Sequence, residues 1–170
     1  KHTGASVTSP HDIVFQRPLD VPCTQLMLRF HGGGAEPAGM QPLAQHLAQT
    51  FPQALIVAVA GAKPSALGQG REWFSVVGID EQSRPARVLE AMPAFRAAVE
   101  RWQRDSGVTA HGTALVGFSQ GAIMALESTR DDAPSLAGRI VALSGRFALP
   151  PTRAPADCTI HMVHGKQDAV

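Results

Sequence analysis

The stretch Thr113-Ala114-Leu115-Val116-Gly117-Phe118-Ser119-Gln120-Gly121-Ala122-Ile123-Met124-Ala125-Leu126-Glu127 decides how this chain is read. Its opening residues form a short apolar run of strand type, and its last six have the composition of a packed helix. Between them, Gly117 to Gly121 spell G-x-S-x-G. A serine at so tight a strand-to-helix turn is held in a strained backbone conformation that projects its hydroxyl above the sheet, and the flanking glycines are needed because side chains would clash there. A helix beginning at Gln120 brings its free N–H groups and the positive end of its dipole beside that hydroxyl. Ser119 is therefore the candidate nucleophile.

Outward from this turn, apolar runs of strand length alternate with longer segments at helical spacing, the pattern of a parallel sheet covered by helices. The predicted strands are Ile13 to Gln16, Gln25 to Phe30, Ala54 to Ala60, Thr113 to Phe118, Arg139 to Leu143 and Thr159 to Val163. Met40 to Phe51 and Arg87 to Arg104 carry apolar residues three and four apart and read as amphipathic helices. Pro93 should kink the second of these or shift its start, because proline removes a backbone donor. Ala62 to Gly70 and the Pro150, Pro151, Pro155 cluster read as loops. The class is α/β, a mostly parallel sheet with helices on both faces.

At 170 residues, 44% of them hydrophobic, the chain suits a single domain over 1–170. Lys and Arg number 15 against 14 for Asp and Glu, so no large net field draws nucleic acid or an anionic membrane surface. The longest apolar run, from Ala54, is far short of the about 18 residues that suggest a membrane span. No apolar leader is visible at Lys1 to Ala5, and no initiating methionine. Cys23 and Cys158 fit neither a CxxC nor a metal spacing, and free thiols in a reducing cytoplasm are expected.

Two further segments carry chemistry. Phe30-His31-Gly32-Gly33-Gly34 follows a predicted strand, and its glycines let backbone amides approach a ligand closely. The Gly33 and Gln120 N–H groups would together hold an oxyanion. A dinucleotide loop would need glycine at 37 or 38, where Pro37 and Ala38 stand. The strand ending in His161-Met162-Val163-His164-Gly165-Lys166-Gln167-Asp168 places a carboxylate where the acid of a Ser, Asp, His chain order belongs, so Asp168 is the candidate triad acid; Asp131, Asp132 and Asp157 sit in loops or before a strand. A histidine base is the remaining requirement. Only Ala169 and Val170 follow Asp168. The seven histidines, His2, His11, His31, His46, His111, His161 and His164, each have a plainer place at the terminus, on a helix face, in or beside a strand, or in a His-Gly turn.

At FHGGG (30–34), GREWFSVVGI (70–79), ALVGFSQGAIMALES (114–128), ALSGRFALP (142–150) and IHMVHGKQD (160–168) the chain resembles the carboxylesterase, phospholipase and acyl-protein thioesterase branch of the α/β hydrolases, in particular the bacterial YpfH-type esterases. The resemblance implies an α/β-hydrolase fold without a cap domain, Ser119 as nucleophile, Asp168 as acid, Gly33 and Gln120 as oxyanion donors, and Trp73, Phe74 and Phe147 lining the acyl cleft. Two departures stand out. Ala35 replaces an aspartate that many relatives carry after the HGxG motif, and the C-terminal strand and helix with the catalytic histidine are missing from these 170 residues, so that the chain alone is expected to be inactive or weak.

The function expected is hydrolysis of carboxylic esters or thioesters with short to medium acyl chains through an acyl-enzyme, with no metal or organic cofactor, by a monomer or homodimer in the cytoplasm. The substrate is the only partner expected, with neither nucleic acid nor stable membrane insertion. Two rivals are a catalytically impaired binding module on the same fold and a hydrolase of lactones or peptides.

Overall fold

In the computed structural model, which describes residues 9–130 and 134–166, the six predicted strands pair into one sheet. They are β1 (Ile13–Gln16), β2 (Gln25–Phe30), β3 (Ala54–Val59), β6 (Thr113–Phe118), β7 (Arg139–Leu143) and β8 (Thr159–Val163), in the order β1-β3-β2-β6-β7-β8, while β4 (Lys63–Pro64) and β5 (Arg71–Glu72) form a small separate hairpin. Only the β1–β3 pairing in the large sheet is antiparallel. All six residues of β3 are buried, as expected of a parallel strand covered on both faces.

Alternation along β2 shows how the faces are used. Leu26, Leu28 and Phe30 join the main core, with Val88, Met92, Phe95, Val99 and Trp102 of α2 (Ser83–Ser106) and the apolar residues of α3 (Gln120–Glu127). Met27 points the other way, to a smaller cluster with Ala44 of α1 (Gln41–Thr50), Ala54 and Ile56. Arg29, on that same side, is fully buried and donates Nη1 to the Met40 carbonyl at 3.0 Å; burial pushes its pKa down to about 10. Complete burial of a side chain such as Phe95 is worth about 1.5–3 kcal/mol, so the α2 seam contributes substantially to holding the sheet.

The structure differs from the expected elements most at three places. The second helix starts at Ser83 rather than Arg87, because the Asp80 carboxylate accepts the Gln82 and Ser83 N–H groups at 3.0 and 2.7 Å and so caps the entry. Pro93 lies inside that helix, which continues through it: Pro93 is exposed and Leu89, whose carbonyl loses the bond, is 75% exposed, so the interruption falls on the solvent side of the helix. Residues 62–72, expected as loop over most of their length, hold the β4–β5 hairpin. No described helix is long and apolar enough to cross a membrane.

Candidate active site

Ser119 stands between β6 and α3 with φ 51° and ψ −113°, a region non-glycine residues rarely occupy. Two backbone bonds hold it there. Its N–H donates to the Leu143 carbonyl of β7 at 2.9 Å, and its carbonyl accepts the Ile123 N–H at 3.0 Å. The flanking glycines are a steric requirement. A Cβ on Gly117 would lie 2.5 Å from the Ala122 nitrogen, and one on Gly121 would lie 2.4 Å from the Phe30 carbonyl oxygen. The residue itself is half-buried, at the carboxyl rim of the parallel strands.

The His31–Ala35 loop leaves β2 on the same rim and runs beside the serine. A Cβ on Gly32 would meet the Ser119 Cβ at 3.6 Å, and one on Gly33 would meet the Gln120 side-chain amide nitrogen at 2.9 Å. The loop is fixed by a tight turn, Ala35 N–H to the Gly32 carbonyl at 3.1 Å, and by reciprocal backbone bonds with Arg71 at 3.0 and 2.9 Å. Among the described residues neither the Gly33 N–H nor the Gln120 N–H is engaged by another protein group, so both remain available to a ligand.

His31 anchors this loop from below. Its ring is 2% exposed, Nε2 accepts the Gly61 N–H at 3.0 Å, and Nδ1 therefore donates to the Gly32 carbonyl at 2.7 Å. Both nitrogens are spoken for, which removes His31 as a general base. Burial, the largest influence, pushes its pKa below the ordinary imidazole value. An unfolded histidine titrates near pH 6.5, so below that the unfolded chain binds a proton the folded chain refuses. Stability is expected to be fully present above about pH 6.5 and to fall by up to about 1.4 kcal/mol per unit of acidification below it, until the folded ring protonates. Urea midpoints at pH 8 and pH 5.5 check this, and a His31→Gln protein should lose most of the difference.

The Gln120 side chain has a role the sequence did not reveal. It is 4% exposed, accepts the Trp73 N–H on Oε1 at 2.7 Å and donates Nε2 to the Phe74 carbonyl at 2.8 Å. One amide thus fastens the 73–74 backbone to the elbow while packing on Gly33. Gln120→Leu leaves a buried donor and a buried acceptor unpaired and is expected to cost about 2–4 kcal/mol, read as a lower urea midpoint.

Other predicted site residues fall elsewhere. Trp73 and Phe74, expected to line the acyl cleft, are each only 4% exposed; Trp73 packs edge-on to Phe95 at 5.2 Å and against Phe30 at 6.3 Å, so the aromatic cluster under α2 holds it in the core. Phe147 lies at the far end of α3, where Arg130 sits 5.8 Å from its ring centroid, rather than at Ser119. Phe118 is what flanks the elbow: it is 47% exposed, and a Cβ on Gly32 would sit 3.4 Å from its ring. Asp168 lies outside the described residues, as do His2, Asp131 and Asp132. Asp157 precedes β8 at the opposite end of the sheet, bound to Ser135 at 2.8 and 2.9 Å. His11, His46, His111, His161 and His164 are exposed, and of these only His164 follows a strand on the Ser119 rim.

The sequence matches the Phospholipase/Carboxylesterase family over residues 14–170. It is 50% identical over 160 residues to the esterase YpfH of Escherichia coli (strain K12), spanning 94% of this chain and 68% of that protein. Among solved structures, esterase PE8 aligns with a TM-score of 0.74 and 23% identity over 91% of this chain and 88% of its own. A carboxylesterase from Mesorhizobium loti aligns at 0.65 and 24%, over 81% and 64%. At those identities the structural likeness speaks for the fold, while kinship rests on the family match and the Escherichia coli relative. The chain belongs to the phospholipase/carboxylesterase family of α/β hydrolases.

Proposed function

We propose that Ser119 is the nucleophile of a serine hydrolase that cleaves carboxylic esters or thioesters of short to medium acyl chain length. The observation that carries this is the pairing of a serine at φ 51° with two unclaimed backbone donors, that of Gly33 in the loop beside it and that of Gln120 at the start of α3. Ser119 Oγ attacks the acyl carbonyl carbon, its proton passes to a histidine oriented by Asp168, and the carbonyl oxygen gathers negative charge between the two N–H groups. Collapse of that intermediate expels the protonated alcohol or thiol and leaves an acyl-serine. Water then attacks in the same way, releasing the acid and restoring the hydroxyl. Fixed donors aimed at developing charge are worth about 2.7–4 kcal/mol each, which is why the rigidity of the His31–Ala35 loop matters.

The segment from β7 to β8 contains no helix among its described residues, so no helical cap rises from it. An open cleft favours short acyl chains, since a long chain gains from burial that an open surface does not provide. Cys23 and Cys158 are free thiols, in keeping with a reducing cytoplasm.

The test, made on a chain extended to carry the histidine base that these 170 residues are expected to lack, is capture by a fluorophosphonate, located by peptide mass mapping, followed by turnover of chromogenic esters from acetyl to palmitoyl and of a matching thioester. A single adduct on Ser119 and fastest turnover among the shorter acyl groups are expected. An adduct on another residue, or none, removes the nucleophile assignment and favours a binding module; a palmitoyl optimum removes the chain-length assignment.

A further inference from the structure

The chain that leaves β7 emerges beside the nucleophile and runs along α3 to that helix's far end. Its start is wedged against the elbow: a Cβ on the buried Gly145 would lie 2.2 Å from the Ala122 Cβ and 3.3 Å from the Ser119 carbonyl oxygen. Its other end is held by Glu127, the last residue of α3. The Ala148 and Leu149 N–H groups donate to Glu127 Oε1 at 2.5 and 3.4 Å. Arg130 encloses the same carboxylate, Nε donating to Oε2 at 2.5 Å and Nη2 to Oε1 at 2.9 Å, and Nη2 also donates to the Leu149 carbonyl.

Glu127 is in an unfavourable place for a carboxylate. Its side chain is only 6% exposed, and it sits at the helix end where the dipole is negative. Both costs are offset only by the donors it gathers, two of which belong to the loop. The tie between Arg146 and Glu81 at 2.6 Å is by contrast exposed on the glutamate side and screened, so it holds the loop weakly.

We infer that Glu127 and Arg130 are positioning residues of the hydrolase site: a latch that keeps residues 144–149 pressed along α3, so that Gly145 braces the Ser119–Ala122 backbone and the Gln120 N–H keeps its aim. This rests on the reading of Ser119 as nucleophile. With the latch open, Gly145 withdraws, the elbow loses a wall, and the oxyanion donor drifts relative to the hydroxyl. Displacements near 1 Å cost up to about 100-fold in rate, so even partial release is measurable.

The experiment compares Glu127→Gln, Glu127→Leu and Arg130→Ala with the unaltered protein, all in the chain extended to carry the histidine base. The rate of fluorophosphonate capture is measured per folded molecule and separated into probe affinity and the first-order bonding step; tryptic cleavage after Arg146 reports the loop. Glu127→Gln keeps an acceptor for the Ala148 and Leu149 N–H groups and is expected to stay within about 3-fold of the unaltered rate, whereas Glu127→Leu and Arg130→Ala lose about 10-fold or more in the bonding step and are cut faster after Arg146. Should Glu127→Leu fail to fold, Arg130→Ala, altered at a partly exposed side chain, carries the comparison. Folded Glu127→Leu or Arg130→Ala protein captured at the unaltered rate overturns the latch and leaves the nucleophile standing. Failure of the unaltered protein to be captured at Ser119 overturns both.

Discussion

Replacement of Ser119 by alanine, in a chain extended to carry the histidine base, is expected to abolish fluorophosphonate capture and to lower ester turnover by at least about 1,000-fold, since on the proposed reading Ser119 is the group that forms the acyl bond. The fold should survive. The bonds that hold residue 119, to the Leu143 carbonyl and from the Ile123 N–H, are backbone bonds that alanine keeps. A stability change within about 1 kcal/mol is expected, because the strained φ is imposed by the surroundings and not by the hydroxyl. Thermal unfolding and capture measured on the same preparation separate the two effects. Capture that persists in the alanine protein would place the nucleophile elsewhere.

Gly121→Val is expected to have the largest effect on stability. A Cβ at that position would lie 2.4 Å from the Phe30 carbonyl oxygen and 2.7 Å from the Phe30 Cβ. Neither can yield cheaply: Phe30 is fully exposed to no solvent, ends the central strand β2, and packs on Phe95 at 4.7 Å. Pushing α3 off β2 would also shift the elbow against the His31–Ala35 loop. A loss of about 3 kcal/mol or more is expected, above the usual range for overpacking because backbone rather than a flexible side chain is struck. The matched comparison is Gly39→Ala, where an added Cβ meets nothing within 4 Å, and where a change within about 0.5 kcal/mol is expected. Urea unfolding of the two variants checks both values.

The middle of the sheet was legible because its strands β2, β3 and β6 are mostly buried. β3 and β6 read as apolar runs with no helical period, and the elbow tied one of them to a helix in a single motif. What was not legible has physical reasons. The β4–β5 hairpin has two-residue strands with polar side chains and a proline, so no alternation marks it. The first turn of α2, Ser83-Arg84-Pro85-Ala86, lacks an apolar stripe, and only the Asp80 cap announces it. Trp73 and Phe74 follow a polar loop, and nothing in the local sequence says on which side of the chain their rings lie. Phe30 and Phe95 decide it from distant positions. Gln120 reads from the sequence only as a helix start that offers its backbone N–H; its side-chain bonds to 73 and 74 span more than forty positions and leave no local trace. The tight turn at Ser119 and the glycine loop beside it were legible because their requirements are local ones of backbone shape and clearance.

The rim bonds repeat. The Ser119 N–H rests on the last carbonyl of β7, and the Ser144 N–H rests on the last carbonyl of β8, Val163, both at 2.9 Å and both from serines with φ 51°. Each turn is thus moored to its outer neighbour, like successive rungs. Among the described strands, fraying that begins at β8 frees Ser144 first and reaches Ser119 only after β7 gives way. The Ser119 turn is accordingly sheltered by two strands from disturbance at that margin.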